Sequence, residues 1–190
     1  MLKFIAAWAS AAVILFASAF ADDAPLTADS AKRFVESLAA VEALGDELEA
    51  QGKTEQLQIA QQPKAGEAFK PYSTAVIALK EKYPSDYAKL RSAVKPHGFG
   101  AEEWGAAGDK VMIAYLALKM EEEDPTALQQ MKAMDKSMLD MLPPEMKTQF
   151  TQAMAMMETV QNASDSDKAA VATVKDDLDD YMENETSASR

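Results

Sequence analysis

The chain contains no cysteine and a single histidine, His97. Without thiols there is neither a disulfide nor the lipid-bearing cysteine of a lipoprotein, so stability has to come from packing. One histidine also leaves too few nitrogen and sulfur donors for a structural zinc site within one chain, and a cysteine-histidine nucleophile pair is impossible. His97 lies in the turn Pro96-His97-Gly98, where a surface or supporting role suits it better than general-base work. Glycine stops early: all seven lie at or before Gly108, and none belongs to a phosphate-binding loop or a G-x-S-x-G elbow. Basic residues are outnumbered, 19 against 31 acidic, for a net charge of −12. A surface that negative, with no basic stripe, repels phosphate backbones and anionic lipid; it argues against nucleic-acid binding and leaves cationic partners open. Nothing reads as a strand of alternating β-branched residues, and no second long apolar run follows the first.

That first run opens the chain. MLKFIAAWASAAVILFASAFADDAP has one lysine, an apolar stretch from Phe4 to about Phe20, and Ala19-Phe20-Ala21 ahead of two aspartates. This is the three-part plan of a secretory signal peptide with small residues at the cleavage site. An uncleaved anchor is the alternative, since the run barely reaches spanning length. The expectation is a signal peptide over residues 1–21, a single helical bundle domain over 22–183 and a flexible tail over 184–190. Such a protein is periplasmic or secreted, without stable membrane insertion after cleavage.

The remaining periodicity is helical. After Thr27, a suitable N-cap, Phe34, Leu38, Val41, Leu44 and Leu48 form one stripe, and Gly52 closes the helix. Residues 53–70 show no clear period and are expected as partial helix or as an ordered crossing packed on the bundle. Pro71 suits a first helical position for a helix to about Lys82, and Ser85 can cap a short one to about Val94. With Gly100 as N-cap, Glu103 stands at N3, and Phe99 and Trp104 have the spacing of a hydrophobic staple. The helix over residues 101–121 is apolar nearly all round, Trp104 and Tyr115 included, so it belongs at the centre. Asp109 is out of place on it. Asp124-Pro125 starts a further helix that Pro143 ends; residues 144–161 and 165–182 complete the set, with Asp176, Asp177, Asp179 and Asp180 largely away from the last apolar stripe. The fold class is all-α, a bundle of about six to seven helices.

Within MKAMDKSMLDML, Met131, Met134, Met138 and Met141 fall in an arc of about 80° on a helical projection. An arc that narrow is the face a bundle helix buries, and methionine fills irregular gaps well. Eight of the twelve methionines nonetheless lie between Met131 and Met157, and clustered thioethers can hold copper(I) or absorb oxidant. A third reading makes Met131, Met134, Met138, Asp135, Met154 and Met157 the lining of a pliable groove for an apolar ligand or a partner helix. Asp135 projects between Leu128 and Leu142; either it pairs with Lys132 at a groove edge or it marks polar function.

Paired carboxylates such as Glu102 and Glu103 stand at helix ends or on polar faces, and Asp165-Ser166-Asp167 lacks the glycine and spacing of a calcium loop. No nucleophile-base constellation is present. The expectation is therefore a protein that is not an enzyme, with no catalytic residues, no cofactor and no resident metal.

The block HGFGAEEWGAAGDKVMIAYLALKM resembles one found in uncharacterised exported helical proteins of Gram-negative bacteria, a likeness that extends over most of the chain after the leader. It carries over no function. Leu26-Thr27 is similar to the start of the L-T-x-x-Q repeat of small periplasmic helical chaperones, with Ser30 where that repeat has glutamine and no second copy. Three functions fit the sequence: a periplasmic interaction module of a chaperone-like kind with an unknown protein partner, a carrier of an apolar small molecule or lipid in the bundle core, and methionine-based buffering of copper(I) or oxidants.

Overall fold

A computed structural model describes residues 24–61, 68–123 and 143–188. The expectations for the leader, for the helix from Asp124 with Met131, Met134, Asp135, Met138 and Met141, and for residues 62–67 of the crossing fall outside them. Among the described residues the fold is all-α, with eight α-helices, one 3-10 turn and no strand. The helices are α1 (Ala28–Ala50), α2 (Thr54–Gln61), α3 (Pro71–Lys82), α4 (Pro84–Val94), α5 (Ala101–Glu123), α6 (Pro144–Gln161), α7 (Asp165–Ala172) and α8 (Lys175–Ala188). No helix among the described residues is long and apolar enough to cross a membrane.

Local chemistry sets most helix ends. The Thr27 hydroxyl accepts the Ser30 amide at 3.1 Å while the Thr27 amide donates to the Ser30 hydroxyl at 3.0 Å, a reciprocal cap with serine in the place of the usual glutamate. Gly52 ends α1 with φ +67°, a left-handed conformation that only glycine adopts without strain. The Gly100 amide donates to the Glu103 carboxylate at 2.9 Å, as the staple reading of α5 requires. Two boundaries differ from expectation. Helix α4 begins at Pro84, with no side-chain cap, so Ser85 is already inside the first turn. The C-terminal segment is broken at Thr173-Val174 into α7 and α8, and α8 continues to Ala188 where the apolar stripe stopped at 182. At the break the Thr173 hydroxyl donates to the Ala170 carbonyl at 2.7 Å, and the Thr173 and Val174 amides bond three residues back instead of four; Val171 and Val174 are both buried.

Helix α5 is central, packed against α1, α3, α4, α6 and α7. Trp104, Val111, Ala114 and Tyr115 are all buried on it. Phe34 of α1, Tyr72 of α3 and Trp104 form an aromatic trio with ring centroids 5.3 to 5.5 Å apart. Phe99 is buried too, with the Arg33 guanidinium 4.9 Å from its ring centroid.

The WGAAGD stretch explains how α3 comes so close. A Cβ on Gly105 would sit 3.1 Å from the Ser73 Cα, and one on Gly108 would sit 2.6 Å from the Tyr72 ring. The next residue, Asp109, is buried and accepts the Tyr72 amide at 2.7 Å and the Ser73 amide at 3.3 Å. Lys70, the N-cap of α3, makes no side-chain cap, so Asp109 satisfies these two first-turn donors from another helix. Burial raises the Asp109 pKa, and the same amide bonds pull against that. The acid that looked misplaced is thus a tertiary cap.

Candidate functional site

Helix α1 presents Val41, Leu44 and Leu48 at the helical spacing of one face, and α3 and α4 answer with Val76, Leu79 and Leu90. Together with Leu57 of α2, Ala75, Tyr72 and Trp104, these side chains enclose a notch of about 230 Å³ open to solvent on one side. Its lining is apolar. The Trp104 indole N–H at the floor is already engaged, donating to the buried Ser37 hydroxyl at 2.7 Å.

Gly45 completes the lining, and it is the unusual member. A Cβ added there would meet nothing within 4 Å. Glycine inside a helix weakens it by roughly 0.5 to 1 kcal/mol relative to alanine. Gly105 and Gly108 are repaid by close backbone approach; Gly45 has no such neighbour, and what its missing side chain provides is open space at the notch mouth.

Charged groups on the elements that line the notch, and on the turn after Gly52, are mutually paired. Asp86, itself buried, receives Lys53 at 2.6 Å and Lys89 at 3.2 Å, and Lys89 also pairs with Glu47. The Lys53 bond is the main reason the Asp86 pKa is lowered. This network ties α1, α4 and the turn after Gly52 together, and its charges balance.

A larger cavity, about 540 Å³, lies between α5, α6 and the α6–α7 link, lined among others by Lys110, Ile113, Glu158, Thr159, Asn162 and Asp167. Its polar groups hold the backbone: Lys110 donates to the Ala24 carbonyl, Thr159 accepts the Phe69 amide at 3.3 Å, and Asp167 accepts the Leu26 amide at 2.7 Å. They act as ties between segments.

The residues singled out in the sequence are placed as follows. Trp104 lines the notch, while Phe99 and Tyr115 belong to the core around it. Met154 and Met157 are half-buried on α6, away from the notch, and Met146 on the same helix is 52% exposed. Within the acidic run of α8, Asp176, Asp177 and Asp180 are exposed, but Asp179 turns inward. It accepts the Tyr115 hydroxyl at 2.6 Å and Lys175 at 2.7 Å, which hold its carboxyl down to about 2. Of the crossing over 53–70, residues 54–61 are helix α2, Leu57 is buried and Phe69 is half-buried. The notch itself went unread in the sequence. The one available signal was Gly45, a gap in the apolar stripe of α1 flanked by Val41, Leu44 and Leu48.

No protein-family model matches the chain, and no curated protein or solved structure is significantly similar to it.

Proposed function

We propose that the protein is an exported, non-enzymatic binding module of a chaperone-like kind, and that the notch lined by α1 to α5 takes up one apolar side chain of a protein partner. The observation that supports this is the notch's combination of size and lining, about 230 Å³ with Gly45 bare at the mouth. Pockets that enclose drug-sized ligands run from roughly 300 to 1,000 Å³, whereas a dry cavity of about 150 Å³ accommodates a benzene ring. The notch lies between these values, suited to a phenylalanine, leucine or tryptophan side chain and too small for a lipid. Interfaces draw much of their affinity from such anchors seated in dry pockets. Export follows from the leader-like first 21 residues, and the non-enzymatic reading from the missing nucleophile-base pair.

Trp104 at the notch floor serves as a reporter. In the full chain carrying Trp8→Phe, Trp104 is the only tryptophan of the original two. Titration with N-acetyl-phenylalaninamide is expected to shift its emission saturably, with no response to N-acetyl-alaninamide. Gly45→Leu, which fills the mouth, is expected to abolish the response while the helical circular dichroism stays unchanged. A response indifferent to the side chain, or one that survives Gly45→Leu, would overturn the notch as the binding site.

A further inference from the structure

We infer that the partner segment is basic: a large apolar side chain that enters the notch beside a lysine or arginine that stays outside it. This rests on the notch reading above and adds the chemistry of its mouth. On a helix surface the neighbours of any residue are those three and four positions away, at about 5 to 6 Å between Cβ atoms. Around Gly45 these are Val41 and Leu48, which line the notch, and Glu42 and Glu49, which are exposed. The bare mouth is therefore bordered by two apolar side chains and two carboxylates.

Glu42 and Glu49 make no ion pair among the described residues, whereas three lysines of the surrounding elements are taken: Lys53 by Asp86, Lys89 by Asp86 and Glu47, and Lys80 by Glu102. A net charge of −12 extends the same preference over the whole surface, drawing cationic segments in and turning anionic ones away. An acidic or phosphorylated partner would meet repulsion at the point where its anchor must enter. The two carboxylates select by charge, and the notch supplies the larger part of the affinity.

Three short peptides test this, identical except at a central triplet that reads Lys-Phe-Lys, Gln-Phe-Gln or Lys-Ala-Lys, each titrated into the full chain with Trp8→Phe. Removing the phenyl ring is expected to weaken binding about tenfold or more, the loss for leaving one aromatic anchor unburied. Replacing the lysines by glutamine is expected to weaken it about three- to tenfold, since exposed ion pairs contribute modestly, and raising the salt concentration should erase that difference. Glu42→Gln combined with Glu49→Gln is expected to bring Lys-Phe-Lys down to the level of Gln-Phe-Gln and to leave Gln-Phe-Gln unchanged. Equal binding of the two phenylalanine peptides, lost in Gly45→Leu, would sink the basic partner while the notch reading survives. Binding of Lys-Ala-Lys as strong as Lys-Phe-Lys would instead show charge adsorption alone and sink both. If hexylamine competes fully with Lys-Phe-Lys at equal affinity, the site takes a small cationic amphiphile and the peptide partner is overturned.

Discussion

The indole N–H of Trp104 donates to the Ser37 hydroxyl across 2.7 Å, from α5 to α1, with both residues buried. Ser37 in turn donates to the Phe34 carbonyl at 2.6 Å, so one small hydroxyl satisfies the indole and bonds to its own helix. Ser37→Ala leaves the indole proton without an acceptor and should cost about 1 to 3 kcal/mol. Trp104→Ala should cost about 3 to 5 kcal/mol, the range for emptying a large aromatic site. Urea denaturation measures both. In the double variant the two losses should sum to less than their separate values, because the bond is shared.

Asp109 caps α3 from across the core, and that role separates two substitutions. Asp109→Ala strands the Tyr72 and Ser73 amides and should lower stability by about 1 to 3 kcal/mol. Asp109→Asn keeps a carbonyl acceptor and removes a buried charge whose ionisation burial disfavours, so it should recover most of the loss. Equal denaturation midpoints for the two variants would show that the cap contributes nothing.

The helix-internal glycines should respond in opposite directions. Gly108→Ala forces a methyl group against the Tyr72 and Phe34 rings, at 2.6 and 2.8 Å, and should destabilise by about 1 to 3 kcal/mol. Gly45→Ala enters open space and should stabilise by roughly 0.5 to 1 kcal/mol through helix propensity alone. Thermal unfolding of the pair distinguishes a glycine needed for packing from one that keeps the notch open.

Acid should weaken the fold through Asp179 and Asp86, whose pKa values are lowered chiefly by Lys175 and Lys53. A carboxyl that is harder to protonate folded than unfolded stabilises above its unfolded pKa, near ~3.9, and ceases to as pH falls through the folded value. For Asp179, held at about 2, the window runs from about pH 4 down to about pH 2. Asp109 acts in the opposite sense, since its raised pKa lessens its contribution as pH climbs through the ordinary aspartate range. The melting temperature should therefore drop between pH 4 and pH 2, and Asp179→Asn should make that drop shallower while lowering stability at pH 7.

How far the sequence alone reached depended on how local the physics was. The all-α class, the N-cap at Thr27, the first-turn proline at Pro71, the glycine stop at Gly52 and the start of α5 at Gly100 each follow from a few adjacent residues, because helix ends are closed by neighbours in the chain. The central place of α5 was legible too, since a helix apolar on every side has nowhere else to go. What only the tertiary structure decided involves partners far apart. Asp109 read as a misfit because the amides it caps lie 36 and 37 residues away, and Asp179 read as a surface acid because Tyr115 is 64 residues off. The notch is the extreme case: its lining comes from five helices, and no stretch of sequence contains a void. A gap in one helix's apolar stripe becomes a site only when the other helices close round it and leave the space at Gly45 unfilled.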